Sequence, residues 1–322
     1  GFRTTYTAPA SSYDEMSSTT GTLRPHWEYV IRSLEALSSS ELTRREQETK
    51  RLLRENGVTY NVYDDPRGTT RLWELDLVPL LLSSQEWSTI ERGLIQRAEL
   101  LNLILADFYG PRSLIAKGLL PPEVVYAHPG FLLPCAGVRP IKNCYLPLYA
   151  ADLTRASDGS IWVIGDRAQA PSGAGYALEN RIVLSQVLPS LYRDSHVHRV
   201  ALFFRAMRAT LSALAPQRHD NPRIVRLSPA PGNETYFEHA YLANYLGFML
   251  VQGGDLTVRD GRVWLSTVDG LQPVDVILRR VDDTFCDPLE LRKDSLLGVS
   301  GLLQAARLGH VAIVNPLGSG VL

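Results

Sequence analysis

Hydrophobic positions near the start of the chain follow helical spacing. Apolar residues recur every three or four positions over residues 25–37, which predicts an amphipathic helix. Ser39 or Ser40 is suited to cap a second helix, whose alternating charges over residues 44–54 indicate a solvent-exposed face. Residues 1–22 are rich in Ser, Thr and Tyr and lack periodicity. The pattern therefore predicts two helices that follow a loose N-terminal arm.

Strand and helix patterns alternate in the middle of the chain. Ser83 and Glu86 form a capping box before a long apolar stripe, which predicts a long helix. Turn residues occur at 64–68 and again at Asp158 and Gly159, where two strands are expected to pair as an antiparallel hairpin. The predicted strands cover residues 58–63, 144–151 and 160–165, and the predicted helices cover residues 83–110, 176–192 and 200–214.

The last third of the chain alternates strands and helices as a doubly wound α/β unit does. Predicted strands cover residues 224–227, 248–251, 274–278 and 311–314, predicted helices cover residues 236–246 and 298–308, and a small hairpin turns at 260–261. Ligands of such sheets bind beyond the carboxyl ends of the strands. The polar residues that follow the strands are therefore candidate substrate contacts: Asn233, Glu234, Asp255, Arg279, Arg280 and Asn315.

Composition and charge exclude several classes of protein. The 322 residues are 45% hydrophobic, which is enough to bury a core and is typical of two domains. A net charge of -1 provides no general basic surface for nucleic acid. No apolar run approaches the ~20 residues of a membrane span, no signal peptide is visible, and the cysteines lack Cys-x-x-Cys spacing. We therefore expect a cytoplasmic protein that binds neither nucleic acid nor membranes.

Residues 166–181 combine acids, amides and arginines around a glycine-rich turn. Carboxylate and amide oxygens suit a divalent metal such as Mg²⁺, and guanidinium groups suit phosphate or a developing oxyanion. Strand-end salt bridges with a helix cap are the alternative interpretation of the same side chains. The candidate metal ligands are Asp166, Glu179 and Asn180, the candidate catalytic residues are Arg167 and Arg181, and the candidate cofactor contacts are Arg167, Ser172 and Gly173.

Several common site motifs are incomplete. Leu178 stands where a dinucleotide fingerprint requires its third glycine, and no P-loop or Gly-x-Ser-x-Gly elbow is present. His196 and His198 have no further ligands that would complete a zinc site, and His239 is interpreted as a structural histidine. The acids that we expect in a solvated loop are Asp282, Asp283 and Asp287.

Five segments together carry a family resemblance. They are residues 56–63, 166–181, 233–240, 253–256 and 274–280. In this order they resemble the circularly permuted ATP-grasp proteins, type 2, which are similar to glutathionylspermidine synthetase and other carboxylate-amine ligases. The resemblance extends over nearly the whole chain. It implies a mixed α/β fold, in which helical and antiparallel β parts of a permuted ATP-grasp module precede a Rossmann-like pre-ATP-grasp domain.

The resemblance also implies a reaction. ATP would phosphorylate a carboxylate, and an amine would displace phosphate from the acyl phosphate to form an amide or peptide bond. ATP would be the cosubstrate with Mg²⁺, and the partners would be small-molecule or peptide carboxylates and amines. Carried onto this sequence, the resemblance implies that Asp166, Glu179 and Asn180 are metal ligands and that Arg167 contacts phosphate, although the relatives space these residues differently.

The resemblance bears on the organisation of the chain. Family members usually continue past the glycine turn at 318–320 into a half that carries nucleotide-binding lysines, so we expect this chain to be the metal and acceptor side and to bind ATP weakly or not at all. The expected segments are 1–56 (arm and helices), 57–198 (β-rich ATP-grasp part) and 199–322 (Rossmann-like substrate domain). A non-catalytic binding or scaffold protein is the alternative, and a nucleotide-dependent oxidoreductase is a third hypothesis that the incomplete fingerprint disfavours.

Overall fold

A computed structural model describes residues 6, 11–18, 20–62, 70–217 and 220–322. These residues form the mixed α/β fold that the sequence predicts. By internal packing the chain divides into a first unit (residues 1–94, 152–165 and 174–200) and a second unit (residues 95–151, 166–173 and 201–322). The division into three consecutive segments at residues 56 and 198 stays a prediction.

Helices and strands have the following bounds. The helices are α1 Pro25–Glu35, α2 Ser39–Glu55, α3 Ser84–Phe108, α4 Ser113–Ala116, α5 Pro122–Tyr126, α6 Ala174–Val187, α7 Pro189–Asp194, α8 Ala201–Ala213, α9 Tyr236–Leu246 and α10 Leu302–Arg307. The strands are β1 Thr59–Asn61, β2 Thr70–Leu72, β3 Ala150–Arg155, β4 Ile161–Arg167, β5 Ile224–Leu227, β6 Met249–Val251, β7 Leu256–Arg259, β8 Arg262–Thr267, β9 Gly270–Pro273, β10 Val276–Arg279 and β11 Ala312–Val314. Of the helices in these ranges, none has the length and apolar character to span a bilayer.

Helix α2 has the charged, exposed face that its sequence predicts. Arg51 pairs with Glu48 and Glu55 on that face, one turn away on either side. Its cap differs from the prediction, because the Oγ atom of Ser38 accepts a hydrogen bond from the backbone N–H of Glu41. Ser39 and Ser40 are instead the first residues of the helix, and its opposite side packs against α6 within the first unit.

The described part of the N-terminal arm is not loose. The buried Asp14 carboxylate accepts hydrogen bonds from the backbone N–H groups of Met16 and Ser17. The Tyr13 ring lies against the guanidinium groups of Arg24 and Arg155, whose central carbons are 4.3 and 4.6 Å from its centroid. These contacts fix the arm to the first unit. Residues 1–5, 7–10 and 19 of the predicted arm and the predicted turn at 64–68 lie outside the described residues.

The hairpin of β3 and β4 turns at Asp158 and Gly159 as predicted, with Gly159 in the left-handed region at a φ of +87°. Its first strand begins later than predicted, at residue 150 rather than 144. The backbone N–H groups of Tyr145 and Leu146 donate to the Oδ1 atom of Asn102, and proline follows at residue 147. Side-chain partners therefore replace a strand ladder over residues 144–149.

Two predicted helices are shorter than their apolar patterns suggest. The helix predicted over residues 176–192 is divided before Pro189, which has no N–H and begins α7. The helix predicted over residues 298–308 begins only at Leu302, because Gly301 has a φ of +85°. Gly298 lies directly against the backbone oxygens of Phe285 and Cys286, where no side chain would fit. Glycine therefore serves close packing here rather than helix extension.

The second unit contains a four-stranded parallel sheet with the order β11-β10-β5-β6. Strands β5, β10 and β11 are buried along their whole length, which explains their continuous apolar runs. Helix α9 packs against β5 and β6. From β5 the chain adds β6 on one side and β10 with β11 on the other, so the strand order reverses between β5 and β10. The hairpin predicted at 260–261 is present and is extended by β9 into a three-stranded antiparallel meander.

The acids after β10 correct another expectation. Asp282 is exposed as predicted, but Asp283 and Asp287 are buried. The Asp287 carboxylate accepts hydrogen bonds from three backbone N–H groups, those of Leu289, Gly301 and Leu303. A buried carboxylate that caps several amides stabilises the turn into α10. The loop is therefore part of the core of the second unit.

Replacing this carboxylate is expected to destabilise the second unit. Asp287→Ala removes the acceptor of three N–H groups, and we expect the free energy of unfolding to fall by about 3 kcal/mol. Urea unfolding followed by tryptophan fluorescence measures the loss. Asp294→Ala is the matched control, because Asp294 is an exposed acid on the same loop and forms an ion pair with the exposed Arg292. Equal midpoints for the two variants would contradict this role of Asp287.

Candidate functional site

Five polar side chains gather at the carboxyl edge of the parallel sheet, where the strand order reverses. We call them the switch-point cluster: Arg226, Ser228, Glu238, His239 and Arg280. Arg226 lies on β5, Ser228 and Arg280 directly follow β5 and β10, and the other two belong to the first turn of α9. The first four are at most 2% exposed. Since open α/β sheets bind ligands at such reversals, this cluster is the candidate functional site of the second unit.

His239 is a neutral imidazole that accepts a hydrogen bond from an arginine. Burial, together with the charges of Arg280 and Arg226, lowers its pKa to about 2. The Nε atom of Arg280 lies 3.3 Å from His239 Nε2 and can only donate. The imidazole proton is therefore on Nδ1, from which it donates to Ser228 Oγ at 2.9 Å. Because Ser228 accepts from the histidine, the pair does not form an activated serine nucleophile.

The cluster carries two guanidinium groups, one buried (Arg226) and one half-buried (Arg280), and one carboxylate. The pKa of Arg226 is lowered to about 9, chiefly by burial and then by the charge of Arg280, while Glu238 opposes this shift. Burial also lowers the pKa of Arg280. Both oxygens of Glu238 lie 3.0 Å from the backbone N–H of Gly173, which donates to them. Among these five side chains positive charge exceeds negative charge, and Asp282 adds a negative charge near Arg280 from outside the cluster.

Residues 168–173, here called the tethered segment, are attached to the same edge at four points. Arg280 donates to the carbonyl oxygen of Pro171, in addition to the contact between Gly173 and Glu238. The other two contacts are those of Asn315 Nδ2 with the Ala168 carbonyl at 2.6 Å and of the Asp283 N–H with Gln169 Oε1 at 3.1 Å. The glycine-rich turn that the sequence singles out thus begins at the carboxyl ends of the strands.

Arg279 and Asn315, two of the predicted substrate contacts, are buried in hydrogen bonds within the protein. Arg279 donates from Nε to the Asn315 carbonyl at 2.8 Å and pairs through Nη2 with Asp283. The Asn315 side chain binds both the N–H and the carbonyl of Leu148. These contacts join the ends of β10 and β11, so a structural role accounts for the burial of both Arg279 and Asn315. Their predicted role in substrate binding stays a prediction.

The other predicted substrate contacts lie on loops after β5 and β6. Asn233 Oδ1 accepts from the N–H of Thr235, directly before α9, and the neighbouring Glu234 is exposed. The exposed Asp255 accepts from the N–H of Gln252 and closes a capping box. Of the six predicted substrate contacts, Arg280 is therefore the one that belongs to the switch-point cluster.

Asp166, a predicted metal ligand, is bound by protein donors at the end of β4. Arg97 holds its two oxygens through Nε at 2.7 Å and Nη2 at 2.6 Å, and the Tyr149 hydroxyl donates to Oδ1. The Arg97 hydrogen bonds are the main cause of the lowered pKa of Asp166. Burial, together with this contact, raises the pKa of Tyr149 to about 12. The neighbouring Arg167 is exposed, as are Ser172 and Gly173 of the predicted phosphate loop.

The remaining predicted site residues, Glu179, Asn180 and Arg181, lie on α6 in the first unit. The buried Glu179 accepts a hydrogen bond from Asn56 Nδ2 at 2.6 Å. Asn180 accepts one from Trp73 Nε1 at 2.9 Å, and Arg181 donates to the His198 carbonyl. Across the described ranges, no three His, Cys, Asp or Glu side chains are grouped so that they could hold a metal ion. The magnesium site at Asp166, Glu179 and Asn180 stays a prediction.

The sequence interpretation did not single out Arg226, Ser228 or Glu238 as site residues. Arg226 offered one signal, because it is a charged residue within a four-residue apolar run that is buried on both sides. Glu238 sits inside a helical pattern whose periodicity does not show which face meets the sheet. The position of Ser228 became informative only once the strand order was known, since the order decides which strand ends are adjacent.

Comparison with known proteins shows where related sequences occur. The profile of proteins described as "Circularly permuted ATP-grasp type 2" matches residues 79–322. An uncharacterized protein of Mycobacterium tuberculosis is 42% identical over 322 residues, which cover 98% of this chain and 36% of the relative. An uncharacterized protein of Synechocystis is 39% identical over 314 residues, which cover 97% of this chain and 65% of the relative.

The chain thus spans 36% of the length of the mycobacterial relative and 65% of the cyanobacterial one. Among solved structures, a glutathione synthetase-like effector from Globodera pallida in its apo form has 14% sequence identity and a TM-score of 0.49. That similarity covers 85% of this chain and 64% of the effector.

The neutral state of His239 predicts a pH dependence of stability. The unfolded chain takes up a proton at this residue below a pKa of about 6.5, whereas the folded chain does not. The contribution of His239 to the free energy of unfolding is therefore complete above pH 6.5. It declines as the pH falls below that value, by about 1.4 kcal/mol per pH unit. Urea unfolding between pH 7.5 and 5 should show a shallower decline for His239→Gln than for the wild type. His128→Gln, at an exposed histidine, is the control and should keep the wild-type slope.

Proposed function

Since the chain belongs to the circularly permuted ATP-grasp type 2 family, we propose that it takes part in an ATP-dependent ligation of a carboxylate to an amine. The family match confirms the resemblance found in the sequence. The reaction proceeds through an acyl phosphate, which the amine attacks to form an amide or peptide bond. The family match over residues 79–322 is the observation that carries this proposal.

The tethered segment supports an assignment of roles in that reaction. It begins beside the exposed Arg167 and ends at Gly173, and the strand ends of the second unit hold it in place. In the proposed reaction Arg167 binds the phosphate that is transferred, because a guanidinium group stabilises charge that develops on phosphoryl and acyl oxygens. Ser172 and Gly173 line the same turn. Arg181 is the second proposed anion contact.

ATP and Mg²⁺ are the proposed cosubstrate and metal, as they are in ATP-grasp proteins generally. Mg²⁺, when bound, would neutralise the phosphate charge. Glu179 and Asn180 offer neighbouring oxygens that suit such an ion, although each already accepts a hydrogen bond. The Asp166 carboxylate does not fit as a ligand in the arrangement described, because Arg97 binds both of its oxygens. We therefore assign no step of the reaction to the metal.

The proposed substrates are small-molecule or peptide carboxylates and amines. This proposal includes a cytoplasmic location and no nucleic-acid or membrane partner. It concerns the complete protein in which this chain acts, since the relatives are longer than the matched region.

A non-catalytic binding or scaffold role is the second candidate. It is favoured by the ion pair of Asp166 with Arg97, which occupies one predicted metal ligand. In that case the fold would keep its switch-point cluster without turning over ATP. The experiment below separates the two candidates.

Loss of Arg167 should slow ATP turnover. The protein at its full natural length is incubated with ATP, Mg²⁺ and pools of amino acids, dipeptides or polyamines, and released phosphate is measured. We expect one pool to stimulate release and Arg167→Ala to lower the stimulated rate by about a hundredfold, because an oxyanion donor is lost. Arg193→Ala removes an exposed arginine that pairs with Asp194 and should leave the rate unchanged.

Two results would count against this account. Absence of stimulated phosphate release with every pool would favour the scaffold role over the ligase. Stimulated release that Arg167→Ala leaves intact would retain the ligase and remove Arg167 from its chemistry.

A further inference from the structure

We propose that the switch-point cluster binds the carboxylate group of a small-molecule ligand, with Arg226 as the principal contact. The ligand class rests on charge and burial within the cluster. Its identification as a substrate of the ligase rests in addition on the proposed function. Its residues are other than the predicted phosphate and metal contacts Asp166, Arg167 and Glu179.

The first observation is a buried guanidinium with one unsatisfied donor atom. Arg226 is 2% exposed, and its Nε atom has no hydrogen-bond partner in the part of the chain that the structure describes. Its neighbours on β5, Val225 and Leu227, are wholly buried. Buried charged groups are normally paired, because an unpaired charge in a poorly solvated site is strongly destabilising. An anion bound beside Arg226 would supply the missing acceptor.

The second observation is the position of this group. Arg226 and Ser228 are two residues apart, so they share one face of the extended chain, and α9 packs against that strand. Helix α9 contributes Glu238 and His239, and Arg280 adjoins the histidine from the end of β10. The cluster thus lies at the reversal of strand order, where a crevice forms in sheets of this kind.

The charges around Arg226 select the ligand class. Glu238 acts on both guanidinium groups and Asp282 acts on Arg280, so these carboxylates already offset much of the positive charge. A ligand group with one negative charge is therefore favoured over a phosphate group with up to two. The planar guanidinium of Arg226 also matches the two oxygens of a carboxylate.

A direct binding measurement without ATP or metal tests the proposal. Isothermal titration calorimetry at low ionic strength compares acetate, L-glutamate and glycylglycine with acetamide and inorganic phosphate. We expect saturable one-to-one binding of at least one carboxylate and none of acetamide. Arg226→Met should weaken that binding at least tenfold. Arg259→Met, which removes an exposed arginine from β7, is the charge-matched control and should change it less than twofold.

Arg226→Met removes a counter-charge of Glu238 but should fold, because the Gly173 N–H still donates to both Glu238 oxygens and Arg280 still provides a positive charge beside it. Should it fail to fold, Arg226→Lys keeps the charge without the planar pair of donors and is expected to weaken carboxylate binding as well. A further variant, Arg280→Met, should also weaken it.

Three results would overturn the proposal. These are binding of no carboxylate, wild-type binding by the Arg226 variants, and phosphate binding at Arg226 that is tighter than any carboxylate. Each would leave the ligase proposal standing, since no ATP is present. Conversely, carboxylate binding at Arg226 in a protein that releases no phosphate from ATP would overturn only the ligase proposal.

Discussion

One buried guanidinium, that of Arg279, holds together the chain segments beyond the parallel sheet. From the last position of β10 it reaches the carbonyl of Asn315 after β11 and the carboxylate of Asp283 in the following turn. Each of these partners in turn binds the tethered segment, at Ala168 and Gln169. The position of the glycine-rich turn therefore depends on the ion pair of Arg279 with Asp283, which the turn reaches through the contacts of Ala168 and Gln169. Removing one member would leave a charge buried without its partner, which is costly.

Arg279 and Arg226 show that similar burial can serve opposite purposes. Both lie on central strands of the sheet and are at most 2% exposed. Arg279 is surrounded by protein oxygens, so its charge is used for architecture. Arg226 has Glu238 as its nearby counter-charge, and its Nε atom finds no acceptor among the described residues. A paired arginine stabilises the fold, whereas one with spare donors is available to a ligand.

Helices, strands and turns were predictable where the residues within the element itself determine it. The strand at 224–227, helix α9 and the turn at residue 261 follow from apolar runs and turn residues, and the structure contains them. The segment 144–149 has a strand-like composition but bonds to side chains distant in sequence. The burial of Asp287 likewise depends on the amides of Gly301 and Leu303, which lie 14 and 16 residues further along the chain. The candidate site was predictable only through Arg280, because its other members meet through the strand order, which periodicity does not encode.

The antiparallel meander of β7, β8 and β9 has a consequence for how the sheet assembles. Strand β5 pairs with β10, although residues 228–275 separate them in the sequence. The entropic cost of bringing the two strands together grows with the length of flexible chain between them. The meander lies inside this interval and is made of pairings between neighbours in sequence. Local hairpins of this kind form quickly, and a formed meander leaves a shorter flexible interval between β5 and β10. A formed meander thereby lowers the entropic cost of bringing the two halves of the switch-point cluster together.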